Sequence, residues 1–218
     1  MFKYIYRKIS KQNAYILCVF MSFTFVMADF LKYKEKRKGN KSKEIIIKLN
    51  KLYFSLSFVS SLLVYLTSKL DMFEVPDLLQ LGLYVVIFYF AFSRCNEIFF
   101  AFIKDATSSL KNPVCKSGLK YYEKINLAMH SYLELIINFG IMYYILNCIG
   151  WFSDGTINLL QSIYFSGVTI TTLGYGDIHP TTILAQLLTV YEVLSGFTLI
   201  VVSFAVYVSC SIKNEEQI

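Results

Sequence analysis

Long apolar runs separated by short basic connections restrict this chain to one solvent, the lipid bilayer. A helix needs about 20 apolar residues to cross a hydrocarbon core roughly 30 Å thick. Ala14–Leu31, Leu52–Ser68, Leu78–Ile103, Ile125–Phe152 and Ile183–Ile212 are long enough or nearly so. A further run, Ile157–Ile170, cannot reach across and has the size of a half-membrane helix. Composition agrees. Hydrophobic residues make up 56% of the 218, mean hydropathy is +0.50, and charged residues reach only 17%, against roughly 25% in soluble chains. The net charge of +6 is spread over the connections between apolar runs. That distribution is wrong for nucleic acid and right for membrane topology. The sequence shows no internal repeat, low-complexity tail or Ser/Gly linker.

Charge fixes the orientation. The Leu31–Lys51 connection carries nine Lys/Arg and Lys104–Lys124 carries five, whereas Asp71–Asp77 and Ser153–Thr182 carry none. Under the positive-inside rule the first two are cytoplasmic and the last two external. The first run allows other readings. Four basic residues (Lys3, Arg7, Lys8, Lys11) precede it, and Val26-Met27-Ala28 resembles a signal-peptide cleavage site. Cleavage would invert everything that follows, so the expectation is five spans, or four if Ala14–Leu31 lies along the interface. Five cysteines (Cys18, Cys95, Cys115, Cys148, Cys210) without any CxxC read as small buried hydrophobes.

The informative segment is Ser162–Pro180. Gly174 and Gly176 flank Tyr175, so the backbone can alternate between conformations that ordinary residues resist. Such alternation points successive carbonyls the same way. Four chains around one axis would then stack rings of oxygens that replace an ion's water shell. The hydroxyl of Thr172 can add a ring at the inner end, and the preceding short helix would aim its negative C-terminal end at the ion path.

Thr172-Leu173-Gly174-Tyr175-Gly176-Asp177 resembles the TVGYGD signature of potassium channels, with Leu in place of Val. The stretch Ile125–Ile212, roughly 40% of the chain, is similar to their two-helix pore module of bacterial type. The resemblance implies an all-α integral membrane protein with a re-entrant pore helix and filter loop, assembled as a tetramer of identical subunits in the plasma membrane. It implies K⁺ as the permeant ion, held at Thr172, Leu173, Gly174 and Tyr175, with lipid around the assembly and no cofactor. Residues 1–124 would form an N-terminal membrane region, 125–212 the pore module, and 213–218 a short cytoplasmic tail.

Further roles follow from the same resemblance. Thr169 stands where the family has a hydroxyl that bonds the filter tyrosine, here Tyr175. Tyr164 and Phe165 occupy positions where many members carry two tryptophans; Tyr164 can donate to Asp177, but Phe165 can donate to nothing. Val168 replaces a glutamate of some bacterial members. Gly196, twenty residues beyond Gly176, matches a hinge glycine, and close helix packing explains it equally well. Phe197, Ile200, Phe204 and Val208 recur at helical spacing toward a gate.

Ionisable groups inside spans cost about 2.5–3.5 kcal/mol at the centre on insertion scales, so each calls for a reason. Glu192 is expected to accept from pore-helix hydroxyls such as Thr171. Glu134 and His130, one turn apart, are expected to pair, as are Arg94 and Glu97. One arginine does not make a voltage sensor. His179 stands at the outer mouth. No nucleotide loop, metal cluster or nucleophile–base set argues for an enzyme. A weakly selective cation channel and a non-conducting regulatory subunit are the rival functions. Topology is directly testable. Cysteines placed in Leu31–Lys51 should resist an impermeant external reagent that labels cysteines placed in Asp71–Asp77; the reverse pattern would invert the pore.

Overall fold

The structure is a computed structural model describing residues 22–37, 42–69, 77–111, 119–150, 157–203 and 205–209. Residues 14–21 of the first expected span, the Asp71–Asp77 turn up to residue 76, Phe204, the 213–218 tail, Cys18, Cys115 and Cys210 lie outside the described residues. The order is α1 (Phe23–Arg37), α2 (Ser42–Lys69), α3 (Asp77–Lys111), α4 (Tyr121–Asn147), α5 (Leu159–Ile170) and α6 (Ile183–Phe197), continued by a π-helical turn, Thr198–Ser203. Among the described residues, four stretches are long and apolar enough to cross a membrane: Lys43–Ser68, Leu78–Ser109, Tyr122–Asn147 and Ile183–Ser209. The described part of the first expected span, α1, is too short to count among them.

The helices run longer than the apolar runs suggest. The expected Leu52–Ser68 and Leu78–Ile103 spans extend to α2 and α3, 28 and 35 residues. Their added turns are amphipathic and carry Lys43, Lys48, Lys51, Lys104 and Asp105 toward the basic connections. Large apolar side chains stand exposed along the spans, among them Leu78 (81%) and Val86 (66%). On a protein in water such a surface would aggregate; in lipid it is ordinary solvation.

Caps set the boundaries of α5 and α6. Asn158 accepts from the Gln161 amide at 2.9 Å while the Gln161 side chain accepts from the Asn158 amide at 2.8 Å. This reciprocal box satisfies two N–H groups that the first turn leaves open. Thr182 caps α6 through the Ala185 amide at 3.4 Å.

The core lies where α3, α4, α5 and α6 meet, around Cys95, Leu135, Phe139, Tyr143 and Phe165. Two glycines set the closest approaches of α5. A Cβ on Gly140 of α4 would come within 2.7 Å of the Ile163 side chain and 2.8 Å of its Cα. A Cβ on Gly196 of α6 would collide with Ile170. Gly196 is therefore a packing glycine in this structure, the second of the two explanations the sequence offered.

Charges fasten α3 to α4. Arg94 donates to both oxygens of Glu134, at 2.7 and 3.0 Å, and pairs with Glu97 at 3.0 Å. The expected His130–Glu134 pair does not form. His130 Nδ1 contacts the Asn126 carbonyl at 2.8 Å and its ring packs edge-on to Phe54. A buried carboxylate gains far more from a forked cation than from an imidazole one turn away. Lower in the bundle, Asp105 accepts from Lys124 at 2.8 Å and from the Tyr207 hydroxyl at 2.9 Å. That cluster ties the end of the last span to α3 and α4.

Gly140→Ala should destabilise the bundle by about 1–3 kcal/mol, because the new methyl meets backbone as well as a side chain. Gly167→Ala is the control, with its nearest foreign atom at 3.9 Å, and should be neutral. Thermal unfolding of the two variants in detergent would compare them; equal loss would break the close-packing argument.

Candidate functional site

The short helix α5 ends at Ile170 with Thr171 as its C-cap, and the backbone changes hand immediately. Thr172, Gly174 and Gly176 have φ of 60°, 57° and 81°, while Leu173 and Tyr175 between them stay at negative φ. Left-handed backbone at every second residue is the alternation the two glycines foreshadowed, extended one step to a threonine. For a β-branched residue that conformation is a strained outlier, and such strain concentrates at functional sites. Sequence reasoning gave Thr172 a hydroxyl role and missed its backbone, since nothing in the residue type signals positive φ.

The amides of this loop turn back toward α5. Leu173 and Gly174 donate to the Val168 carbonyl at 3.0 and 3.4 Å, and Thr172 donates to Thr169 at 2.9 Å. With these N–H groups engaged behind the loop, its carbonyls stay available in front. Every residue from Thr171 to Asp177 is exposed in the single chain, Leu173 at 60% and Tyr175 at 67%. No atom lies within 4 Å of a Cβ built on Gly174 or Gly176. The glycines answer to the backbone, not to local crowding.

The Tyr164 hydroxyl donates to Asp177 at 3.0 Å, as expected, linking α5 to the outer end of the loop. Phe165 is buried and packs edge-on against Tyr143, with ring centres 4.9 Å apart. Thr169 is buried on α5, whereas Tyr175 is 67% exposed, so the two side chains stand in different surroundings.

Glu192 is fully buried and accepts from two other helices. The Tyr143 hydroxyl of α4 donates to it at 2.6 Å, and the Ser166 hydroxyl of α5 donates to its other oxygen. The expected donor, Thr171, instead bonds the carbonyls of Gly167 and Val168, at 2.6 and 3.2 Å. Thr171 sits at the C-cap, where free carbonyls lie one turn back and compete for its hydroxyl. Ser166 is a hydroxyl of the helix that was expected to supply the donor, just over one turn before the residue named for it, and Tyr143 is the partner that sequence reasoning missed. Their signal was a serine and a tyrosine on apolar helices whose polar atoms needed company.

Beyond Gly196 the expected gate face does not run straight. The π turn Thr198–Ser203 inserts a residue into the helical period. Ile200 packs against the core, while Phe197 (56%) and Val201 (47%) are the exposed pair. Val208 is half-buried and Phe204 lies outside the described residues. His179 is exposed at the loop's outer end.

Residues 131–212 match the sequence model of the ion channel family. Two curated relatives come from Arabidopsis thaliana. Two-pore potassium channel 2 is 34% identical over 65 residues, and two-pore potassium channel 3 is 31% identical over 84. Those stretches are 30% and 38% of this chain but 15% and 19% of the relatives, so the chain spans under one-fifth of their length. No solved structure matches the chain. The matched region runs from α4 through the last span and includes the whole site above. The chain is thus an integral membrane protein whose described elements are helices and whose residues 131–212 are similar to an ion-channel domain.

Glu192→Ala would take away the carboxylate to which the Tyr143 and Ser166 hydroxyls both donate, at about 1–3 kcal/mol for each bond lost. Glu192→Gln keeps one acceptor oxygen and should lose roughly half as much. Thermal unfolding in detergent should therefore rank wild type above Gln above Ala; a stable Ala variant would remove the three-helix fastening.

Proposed function

We propose that this chain is one subunit of a potassium-selective channel, with four identical copies around one axis conducting K⁺ passively across the plasma membrane. The observation that carries the reading is the alternating left-handed backbone at Thr172, Gly174 and Gly176, directly after a half-length helix. Four such loops would present the carbonyls of Thr172, Leu173, Gly174 and Tyr175 as stacked rings. Each ring replaces part of the hydration shell, and the Thr172 hydroxyl closes the inner end. One subunit supplies a quarter of each ring, which requires a closed cyclic assembly. The exposure of the loop in a single chain fits that requirement.

The supporting residues have distinct tasks in this reading. The C-terminal end of α5 carries partial negative charge and favours a cation below the loop. Tyr164 and Asp177 hold the outer end, and Thr169 would meet the Tyr175 side chain once neighbours are in place. Glu192 keeps α5 at a fixed depth against α4 and α6. Phe197 and Val201, with Val208 nearer the inner end, would line the gate, and dewetting between apolar rings would close it. Two relatives named as potassium channels and an intact Gly-Tyr-Gly favour selectivity over a general cation pore.

Gly176→Ala adds a Cβ at a φ of 81° and should abolish selective current. Tyr175→Asp leaves the backbone free to alternate but removes the ring and adds charge. It should keep cation current while the K⁺ over Na⁺ permeability ratio falls by on the order of tenfold or more. Reversal potentials of purified protein in planar bilayers under bi-ionic conditions measure both. Full K⁺ preference in Tyr175→Asp would place selectivity elsewhere in the chain.

A further inference from the structure

The turn of α6 that carries Glu192 is gripped on two faces. Glu192 and Gly196 lie one turn apart on a single stripe of the helix. Glu192 accepts from Tyr143 and Ser166, and the Ile170 carbonyl lies 3.4 Å from a Cβ built on Gly196. Ile170 is the last residue of α5, so the stripe bears on the helix end from which the left-handed loop starts. Two contacts on one stripe set depth and spacing. They leave the helix free to roll about the line that joins them.

Tyr191 stops the roll. It stands about 100° around the helix from Glu192. Its hydroxyl donates to Asn96 Oδ1 of α3 at 2.6 Å. Its ring lies edge-on to Phe99 of α3 and Phe139 of α4, with ring centres 5.7 and 5.9 Å away. Asn96 is 3% exposed and stands two residues from Arg94, whose forked bond to Glu134 fixes α3 on α4. The oxygen that Tyr191 meets is therefore a fixed reference on the α3–α4 pair. Another hydroxyl bond from the last span to α3, Tyr207 to Asp105 at 2.9 Å, comes after the π turn and away from the loop.

We propose that Asn96 is a positioning residue for the Thr172–Asp177 loop, acting through Tyr191 and the α6 stripe that supports the end of α5. The inference rests on the channel reading for what the loop does, and it adds α3 as the element that controls the loop. With the bond made, α6 is held at three points around its circumference and Ile170 keeps its seat. With the bond broken, α6 rolls and Ile170 shifts against Gly196. The amides of Leu173 and Gly174 then lose their alignment on the Val168 carbonyl. A displacement of α3 reaches the loop by the same route.

The test is hydrogen–deuterium exchange of the full chain in lipid nanodiscs, read at peptides covering Val168–Asp177 and α2, beside K⁺/Na⁺ reversal potentials in planar bilayers. Tyr191→Phe and Asn96→Leu should each speed exchange at the loop peptide by roughly two- to tenfold and lower the permeability ratio. Exchange in α2 should stay at the wild-type rate. The double variant should be no worse than either single one, because both remove the same bond. Tyr207→Phe breaks the other hydroxyl bond to α3 and should leave the loop unchanged. If Asn96→Leu fails to fold, Tyr191→Phe, which removes one oxygen, decides alone. In a selective wild type, unchanged loop exchange or an unchanged ratio overturns the proposal and leaves the channel reading standing. Equal acceleration in α2, an equal effect of Tyr207→Phe, or additive single effects also overturn it, since each reports general loosening. A wild type without K⁺ preference removes the channel reading instead, and loop exchange then decides the coupling.

Discussion

A helix too short to cross the membrane must be seated by its neighbours, and the rest of this structure depends on that seat. At 1.5 Å per residue the twelve residues of α5 span about 18 Å. A helix of that length cannot reach both membrane surfaces, so at least one of its ends falls where water is scarce and unpaired backbone groups are expensive. Asn158 and Gln161 close the first turn on themselves. At the other end the amides of Leu173 and Gly174 return to the Val168 carbonyl, so the loop that follows is also the cap. The helix and its loop are one unit, and the loop geometry holds only as long as the helix does.

Lateral support comes from contact without side chains and from one shared carboxylate. Gly140 and Gly196 let α4 and α6 approach α5 at backbone distance, which in lipid supplies the dispersion contact that a hydrophobic effect cannot. Glu192 then fixes depth and rotation, since Tyr143 and Ser166 reach it from two sides. The leading helices join the same arrangement. α3 shares its core with α4, and it is fastened at three levels by Arg94–Glu134, Asn96–Tyr191 at 2.6 Å and Asp105–Lys124–Tyr207. The basic connection at Lys104–Lys124 marks a change of direction, and the packing continues across it.

What could be read from the sequence follows from which forces are local. The half-length of Ile157–Ile170 and the Gly-Tyr-Gly spacing report backbone requirements, so α5 and the alternating loop were legible. The Tyr164–Asp177 bond was legible because it closes over thirteen residues within one motif. Partners of buried charges were not. Glu134 finds Arg94 forty positions away and Glu192 finds Tyr143 forty-nine away, whereas periodicity on one helix offers only neighbours at three or four. The π turn was invisible for a related reason. Thr198–Ser203 is uniformly apolar or small, and such a run carries no phase with which to detect an inserted residue.

The placement of Arg94 also bears on what the leading helices can do. A charge that moves in response to voltage must exchange partners along its path, and a full crossing gains about 2.3 kcal/mol per 100 mV. Arg94 is held in a two-oxygen grip by Glu134, a second contact by Glu97, and the Tyr53 ring 4.6 Å from its guanidinium carbon. Removing one partner from such a buried set costs about 3–5 kcal/mol, more than that field returns for one charge. The same residue cannot fasten α3 to α4 and also slide past it. Its chemistry is that of a bolt, closed on Glu134 from α4 and on Glu97 from its own helix.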